Sequence, residues 1–430
     1  MAANGIHVAE DAPWYWAYDG EPTLLVGGTN TDNPFQWTGD ALREQLDRLV
    51  DAGGNYVRNT LSDRGGNDVH PFAEVHDGYY DLGRWNDAYW ERLETFLDET
   101  AARDVVVQLT LWDQHDLSTD HPLYHENNVN YGRYESGMAG PEDAFLAVER
   151  NDAVYPYLER FVDRVLDTAL AYDHVLYNVT NECTVGEAWE RHWAEYVRER
   201  ADEAGKDVHV TSMHMWPGRS VATAKRYPET LSYAELSQAN QNSKGYAGQA
   251  HWDRVQSWRK EIADSVGPRP LNNVKIYGGT ADDADYGTPA EAIARFWRNI
   301  LGGCASVRFH RPAGAEGRYG IGLTERARPH IRSARLLAGA VDLFSLAPHA
   351  DLLSRRAPNE AYCAADPGRE YVVYFPDGGA VDLDVSAADG SLTERWLDAD
   401  DAAWTGPEPV DGDERALSAP ASGNWLAVLR

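Results

Sequence analysis

Asn181 and Glu182 end the segment VLYNVTNE, where an apolar, β-branched run stops abruptly. A side-chain amide and a carboxylate meet there, at the point where a strand leaves a core. Polar and aromatic residues recur at comparable run ends. They are Asp32 with Asn30, Arg58 with Asn59, Trp112 with Asp113 and His115, and His214 with Trp216. Gln238 with Asn240, Lys275 with Tyr277, and His310 with Arg311 complete the set. Aromatic rings cover the C–H faces of sugars, and bidentate side chains satisfy their hydroxyls, so a pocket built from these residues suits a saccharide. Not every ring belongs there: Trp189 and Trp193 lie at helical spacing and are expected to pack inward. His115, Asp113 and Glu182, or His209 with His214, could offer metal ligands, but their spacing matches no metal pattern. No metal and no cofactor is expected.

The elements that must position these residues alternate. TLLVGG (23–28), NYVRNT (55–60), VVVQLTLW (105–112), VLYNVTNE (175–182), DVHVTSMH (207–214), YAELSQAN (233–240), PLNNVKIYG (270–278) and ASVRFHRP (305–312) read as strands. Helical periodicity follows each. Leu42, Leu46, Leu49 and Val50 share a face ahead of Gly53-Gly54, and Tyr89, Leu93, Phe96 and Leu97 share one behind the N-cap candidate Asn86. Helices are also expected at about 155–171, from Trp189 on, through Trp252, Val255, Trp258 and Ile262, and at about 324–340. Thr288, Pro289 and Glu291 have the spacing of a capping box. Eight β-then-α units imply an α/β fold, a (β/α)8 TIM barrel over residues 1–347. An open doubly wound sheet is disfavoured because no G-x-G-x-x-G turn follows the first strand. From residue 348 to 430 the period changes to that of strands: YVVYFPDGGAVDLDV, LTERWL and WLAVLR read as a small antiparallel β-sandwich packed on the barrel. If barrel active sites lie where strands end, the polar residues named above gather at one mouth.

Charge bounds the partners. The 430 residues carry 69 acidic against 39 basic side chains, a net charge of -30, and only five of the basic residues are lysine. Such an excess repels phosphates, and no basic cluster exists, so nucleic acid is excluded as a partner. Self-repulsion of this size is relieved by abundant counter-ions, which points to a halophile's salt-rich cytoplasm. No segment has the length of a membrane span and no signal peptide is visible, so a cytoplasmic location is expected. Protein partners are not legible. Cys183, Cys304 and Cys363 lack CxxC spacing and suggest neither disulfides nor zinc; Cys183, beside Glu182, reads as a buried structural thiol.

YNVTNE resembles the Asn-Glu strand end of the large clan of retaining (β/α)8 glycoside hydrolases. VGGTNTDNPFQW, GGNYVRNTLS, QLTLWDQHD, NNVKIYG and FWRNILGG resemble, more narrowly, the apiosidase-like glycoside hydrolases, a group that also carries a collagenase label. NEAYCAADPGREYVVYFPDGG is similar to the "collagen-binding" β domain attached to them. The resemblance implies that Glu182 is the general acid/base, that Asn181 holds the hydroxyl beside the reacting carbon, and that Arg58 supports the nucleophile. The collagen label fits poorly, because no HExxH motif is present.

One position departs from that pattern. Retaining hydrolysis needs two carboxylates about 5–5.5 Å apart, and the clan puts the nucleophile at the end of strand seven. There the chain has Lys275, with no carboxylate within four residues. An ammonium facing Glu182 favours its ionised form, which suits a base or nucleophile better than an acid. Three readings follow. A glycoside hydrolase uses another acid: Asp113, Glu235 or Asp32, or Asp282, Asp283 or Asp285 after strand seven. Alternatively Glu182 and Lys275 are a static ion pair in a carbohydrate-binding protein without hydrolytic activity. In the third, Lys275 acts as a base or forms a Schiff base.

Overall fold

The computed structural model describes residues 5–63, 65–144, 151–182, 184–216, 218–240, 246–279, 287–312, 320–410 and 414–430. Eight parallel strands form a barrel: β1 Leu25–Gly28, β2 Tyr56–Thr60, β3 Val106–Asp113, β4 Val175–Asn181, β5 Val210–Thr211, β6 Ala234–Glu235, β7 Leu271–Asn272 and β8 Ser306–Phe309. β5-β4-β3-β2-β1-β8 run as one ladder, and β6 pairs with β7. Ser232 N donates to Val210 O (3.0 Å) and Ala305 N to Leu271 O (2.8 Å), which closes the two seams.

Each strand is followed by a helix: α1 Asp40–Asp51, α2 Asp87–Ala101, α3 Tyr155–Ala169, α4 Glu187–Glu203, α5 Arg219–Arg226, α6 Gly248–Val266, α7 Pro289–Leu301 and α8 Ala327–Ala338. Their apolar stripes face the barrel. Leu42, Leu46 and Leu49 are buried on α1, but Val50 is 41% exposed, so it lies beyond the edge of that stripe. Asn86 caps α2, its side chain accepting from Ala88 N, and Gly53 ends α1 at φ +82°. The capping box of α7 forms only by half. Thr288 Oγ1 accepts from Glu291 N at 3.2 Å, but the Glu291 carboxylate turns to Arg298 Nη2 (2.6 Å) and Gly248 N (3.1 Å) instead of the cap.

An N-terminal antiparallel sheet (Ile6–Val8, Trp16–Tyr18, Glu21–Thr23) closes the end where the barrel strands begin. The fully buried Trp16 donates from Nε1 to Asn272 Oδ1 at 2.9 Å. Asn272 Nδ2 reaches Tyr56 Oη and Gln108 Oε1, both at 3.2 Å, and Gln108 Nε2 donates to Glu235 Oε2 at 2.9 Å. A polar column thus fills the lower barrel, and each of these members is bonded to the next, as buried polar groups require.

The C-terminal region holds β9 Ala347–Pro348, β10 Leu353–Ser354, β11 Tyr362–Asp366, β12 Glu370–Phe375, β13 Ala380–Asp384, β14 Leu392–Asp398, β15 Ala403–Trp404, β16 Glu408–Val410, β17 Glu414–Ser418 and β18 Trp425–Leu429. The larger sheet runs β9-β11-β12-β18-β14-β15, with β16 on β14; the smaller runs β10-β13-β17. Pro376–Gly379 therefore links two sheets, not two paired strands. Strand alternation divides the larger sheet. Cys363, Val373, Phe375 and Leu429 face Val381, Leu383 and Leu417 of the smaller sheet. Tyr362, Val372, Tyr374 and Val428 join the barrel's own core. Tyr362 meets Trp252 of α6 at 5.1 Å between ring centroids, and Tyr374 meets Trp297 of α7 at 5.8 Å. Among the described residues, no helix is long and apolar enough to cross a membrane.

Candidate active site

Glu182 follows β4 directly, and its backbone has φ +55°. A non-glycine residue in the left-handed region is uncommon and costs on the order of 1–3 kcal/mol, so the surroundings must hold it there. Three side chains from other barrel segments do. Lys275, just past β7, donates from Nζ to Oε1 at 2.5 Å; Gln238, past β6, donates from Nε2 to Oε1 at 3.0 Å; His115, past β3, donates from Nε2 to Oε2 at 3.0 Å. The Lys275 and Glu182 side chains are only 2% and 10% exposed, whereas His115 is 44% exposed. Burial pushes the Lys275 ammonium down from 10.5 to about 8; Glu182 opposes the shift, and the Arg58 guanidinium adds to it.

A second cluster surrounds Asp32, after β1. Its Oδ1 accepts from Arg58 Nη1 (3.2 Å), with His310 Nε2 3.1 Å from the same oxygen and Arg311 Nη1 3.3 Å from Oδ2. Arg308 Nη1 points at His310 Nδ1 from 3.2 Å. A guanidinium can only donate, so Nδ1 is the acceptor and the His310 proton sits on Nε2, toward Asp32. Burial holds the imidazole far below its ordinary titration range, which agrees with that neutral tautomer. Tyr277 lies edge-on against His310, 4.4 Å between ring centroids. The two clusters interact: Asp32 and Arg58 both act on the charge of Lys275.

The other candidate acids differ. Asp113 accepts from Asn181 Nδ2 with both oxygens, at 3.0 Å each, and from His115 N at 3.0 Å. Glu235 lies in the polar column, held by Gln108 and by the hydroxyl and amide of Ser237; burial raises its pKa. Asp282, Asp283 and Asp285, like Cys183, lie outside the described residues.

Several residues read as substrate contacts have structural surroundings of their own. Asn59 accepts from Phe35 N through Oδ1 at 3.0 Å, on the opposite strand face from Arg58, so it ties β2 to the following loop. Trp112 packs among Phe161, Trp193 and Trp189 at 5.0, 5.6 and 6.5 Å, in the layer between barrel and helices, and is no open platform for a sugar. Trp216 is 58% exposed. His214 closes a local turn: Nδ1 accepts from Trp216 N at 3.3 Å, and burial, aided by Arg219, lowers its pKa to about 4. Trp189 and Trp193 are buried, and no cluster of three or more His, Cys, Asp or Glu fit to hold a metal occurs among the described residues.

Arg308 is a buried member of this cluster that strand-end reasoning missed. It stands two positions before His310, and a period of two puts both on one face of β8. It donates to Val274 O at 2.6 Å and to Thr29 Oγ1.

No protein-family model and no curated protein matches the chain. Solved structures do. A glycoside hydrolase family 5 from Bacteroides vulgatus superposes with a TM-score of 0.72 at 12% identity, over 100% of this chain and 95% of that one. The chain therefore has the (β/α)8 barrel fold that this glycoside hydrolase has. A family 5 mannosidase from Rhizomucor miehei gives 0.53 at 12% identity, over 79% of this chain and 99% of that one. An endo-1,4-beta-mannanase from the same organism gives 0.52 at 14%, over 76% and 97%. The mannosidase and mannanase cover a smaller share of this chain than the Bacteroides protein, which spans all of it. The narrower resemblance to apiosidase-like enzymes and their attached β domain is not part of what these likenesses show.

Proposed function

We propose that this chain is a glycosidase that cleaves an O-glycosidic bond in a saccharide, with Glu182 handling the proton. The observation that carries the reading is the convergence of Lys275, Gln238 and His115, from three different barrel segments, on one left-handed glutamate at the mouth of a glycoside hydrolase fold. Barrels place chemistry at that end, though fold alone does not assign it. The apiosidase-like resemblance, a division into barrel (1–347) and β-sandwich (348–430), and a salt-rich cytoplasm belong to the same reading.

The ion pair sets the order of events. Glu182 faces an ammonium at 2.5 Å, so it rests as a carboxylate. The Lys275 proton, made easier to release by burial, passes to Glu182 as Glu182 delivers a proton to the glycosidic oxygen. The bond from that oxygen to the anomeric carbon breaks, and positive charge grows on the sugar. Asp32 is the second carboxylate in this scheme, because among the described candidates it is the one whose charge acts on Lys275. It opposes the growing positive charge. Water then adds to the anomeric carbon, and its proton returns to the Glu182–Lys275 pair. Asn181, oriented by Asp113, holds the neighbouring hydroxyl.

A second reading has an observation of its own. Both Glu182 oxygens and both Asp113 oxygens are already engaged, as in a static site that binds sugar without turnover. A panel of aryl glycosides separates the two. Turnover by the wild type that falls about 10²–10⁴-fold in Glu182→Gln supports proton transfer by Glu182. Sugar binding with no turnover in either protein supports the binding reading.

A further inference from the structure

Lys275 and Gln238 meet the same oxygen of Glu182, at 2.5 and 3.0 Å. They follow different strands, so their segments must be held at a fixed spacing. Gln238 sits on a single 3-10 turn, Ser237–Asn240, just past β6. Two ties bind that turn to the chain leaving β7. Ser237 Oγ accepts from Val274 N at 2.8 Å, and Asn240 Nδ2 donates to Asn273 Oδ1 at 2.8 Å. One tie precedes Gln238 and the other follows it, and both end on the two residues before Lys275.

Asn240 is fully buried and held from behind by α6 and α7. Arg298 Nε donates to His251 Nδ1 at 3.4 Å, so the His251 proton sits on Nε2. Burial, with Arg298 and Arg295 nearby, keeps that imidazole well below its ordinary titration range. Nε2 therefore donates to Asn240 Oδ1 at 3.1 Å, and Asn299 Nδ2 donates to the same oxygen at 2.9 Å. Two donors on one atom fix which end of the amide is oxygen, and Nδ2 must face Asn273 and, at 3.3 Å, Ser237 O. Arg295 Nη1 donates to Asn240 O at 2.5 Å. We propose that Asn240 is a positioning residue of the candidate site: its amide bolts the turn carrying Gln238 to the segment carrying Lys275, and so sets the geometry in which both donors reach Glu182. This inference rests on the reading of Glu182 as the group that handles the proton.

Two variants test it. Asn273→Ala cuts the tie but leaves Asn240 anchored on α6 and α7; Asn240→Ala removes tie and anchors together. The chain has five lysines, so NMR of protein labelled at lysine Cε follows each amine, and Lys275→Met identifies the Lys275 signal. Its midpoint near 8 is set chiefly by burial, with Glu182, Arg58 and Asp32 acting on it. In both variants the loosened segment should let water reach the amine, and the midpoint should rise toward 10.5. The kcat on an aryl glycoside should fall about tenfold or more with KM little changed, and the double variant should be no worse than Asn240→Ala. Where Asn240→Ala fails to fold, Asn273→Ala decides alone. A Lys275 midpoint still near 8 in Asn273→Ala, whatever its urea midpoint, makes the tie merely structural and overturns the inference. If the wild type turns over no glycoside, the proposed function falls, and the lysine titration still decides whether Asn240 positions the pair.

Discussion

Replacing Lys275 by Met leaves the Glu182 carboxylate with Gln238 and His115 but without its counter-charge. At 2.5 Å and an effective dielectric of about 20, the lost attraction is roughly 6–7 kcal/mol. The ammonium's burial cost disappears with it and offsets part of that loss, because burial lowers its pKa from 10.5 to about 8 even though Glu182 opposes the fall. Breaking a buried pair from one side typically costs about 3–5 kcal/mol, and a destabilisation of that order is expected near pH 7. The double variant Glu182→Gln/Lys275→Met removes both charges, so it should lose much less than the two single losses combined. Urea unfolding of the wild type, both single variants and the double variant closes the cycle. If the single losses add within about 0.5 kcal/mol, the two groups are not coupled, and the account of the site built on their pairing is wrong.

Four further outcomes follow from the structure and the charge of the chain. Activity should fall above about pH 8, as the Lys275 ammonium is lost, and Lys275→Met should remove that alkaline limb. The stability sign is opposite: the folded-state pKa is depressed, so the cost of burying the charge is full below about pH 8 and fades toward 10.5, and the wild type should gain on Lys275→Met across that window. Trp112→Ala should cost about 3–5 kcal/mol in urea unfolding, because it empties an aromatic core layer; an altered KM at unchanged stability would return Trp112 to the sugar site. With a net charge of -30, the urea midpoint should rise from low to molar salt, and a flat response would refute the salt-dependence inferred from the sequence.

The alternation of strands and helices was legible because each helix carries a clear apolar stripe and several carry marked ends. Strand length was not. β5, β6 and β7 shrink to two residues each, where runs of eight or nine read as extended. Side chains there take over parts of the backbone ladder. Ser232 Oγ accepts from Val210 N (3.1 Å) and Ser237 Oγ from Val274 N (2.8 Å), while Ser306 Oγ shares the Asn273 N donor with the Ser306 carbonyl, at 3.1 Å each. A hydroxyl that replaces a carbonyl satisfies the donor without extending the strand. The hairpin Phe72–His76 with Tyr79–Trp85 also lay outside the alternation, because its segments are rich in charge and exposed over much of their length.

The same logic explains which site residues could be read. Glu182 stood out because a carboxylate after seven buried residues has no packing role. Its partners were identifiable as polar residues past strand ends, but a strand end offers two faces, and the type of residue alone does not choose between them. Arg58 and Asn59 show the difference: adjacent and both fully buried, one bonds to Asp32 and the other to the backbone of Phe35. Arg308 sat one step inside its strand, where a charge looks like a liability. It is tolerable because His310, Thr29 and the Val274 carbonyl accept from it and Asp32 lies close enough to offset its charge. A cation buried at that depth is stable only beside an anion or its equivalent.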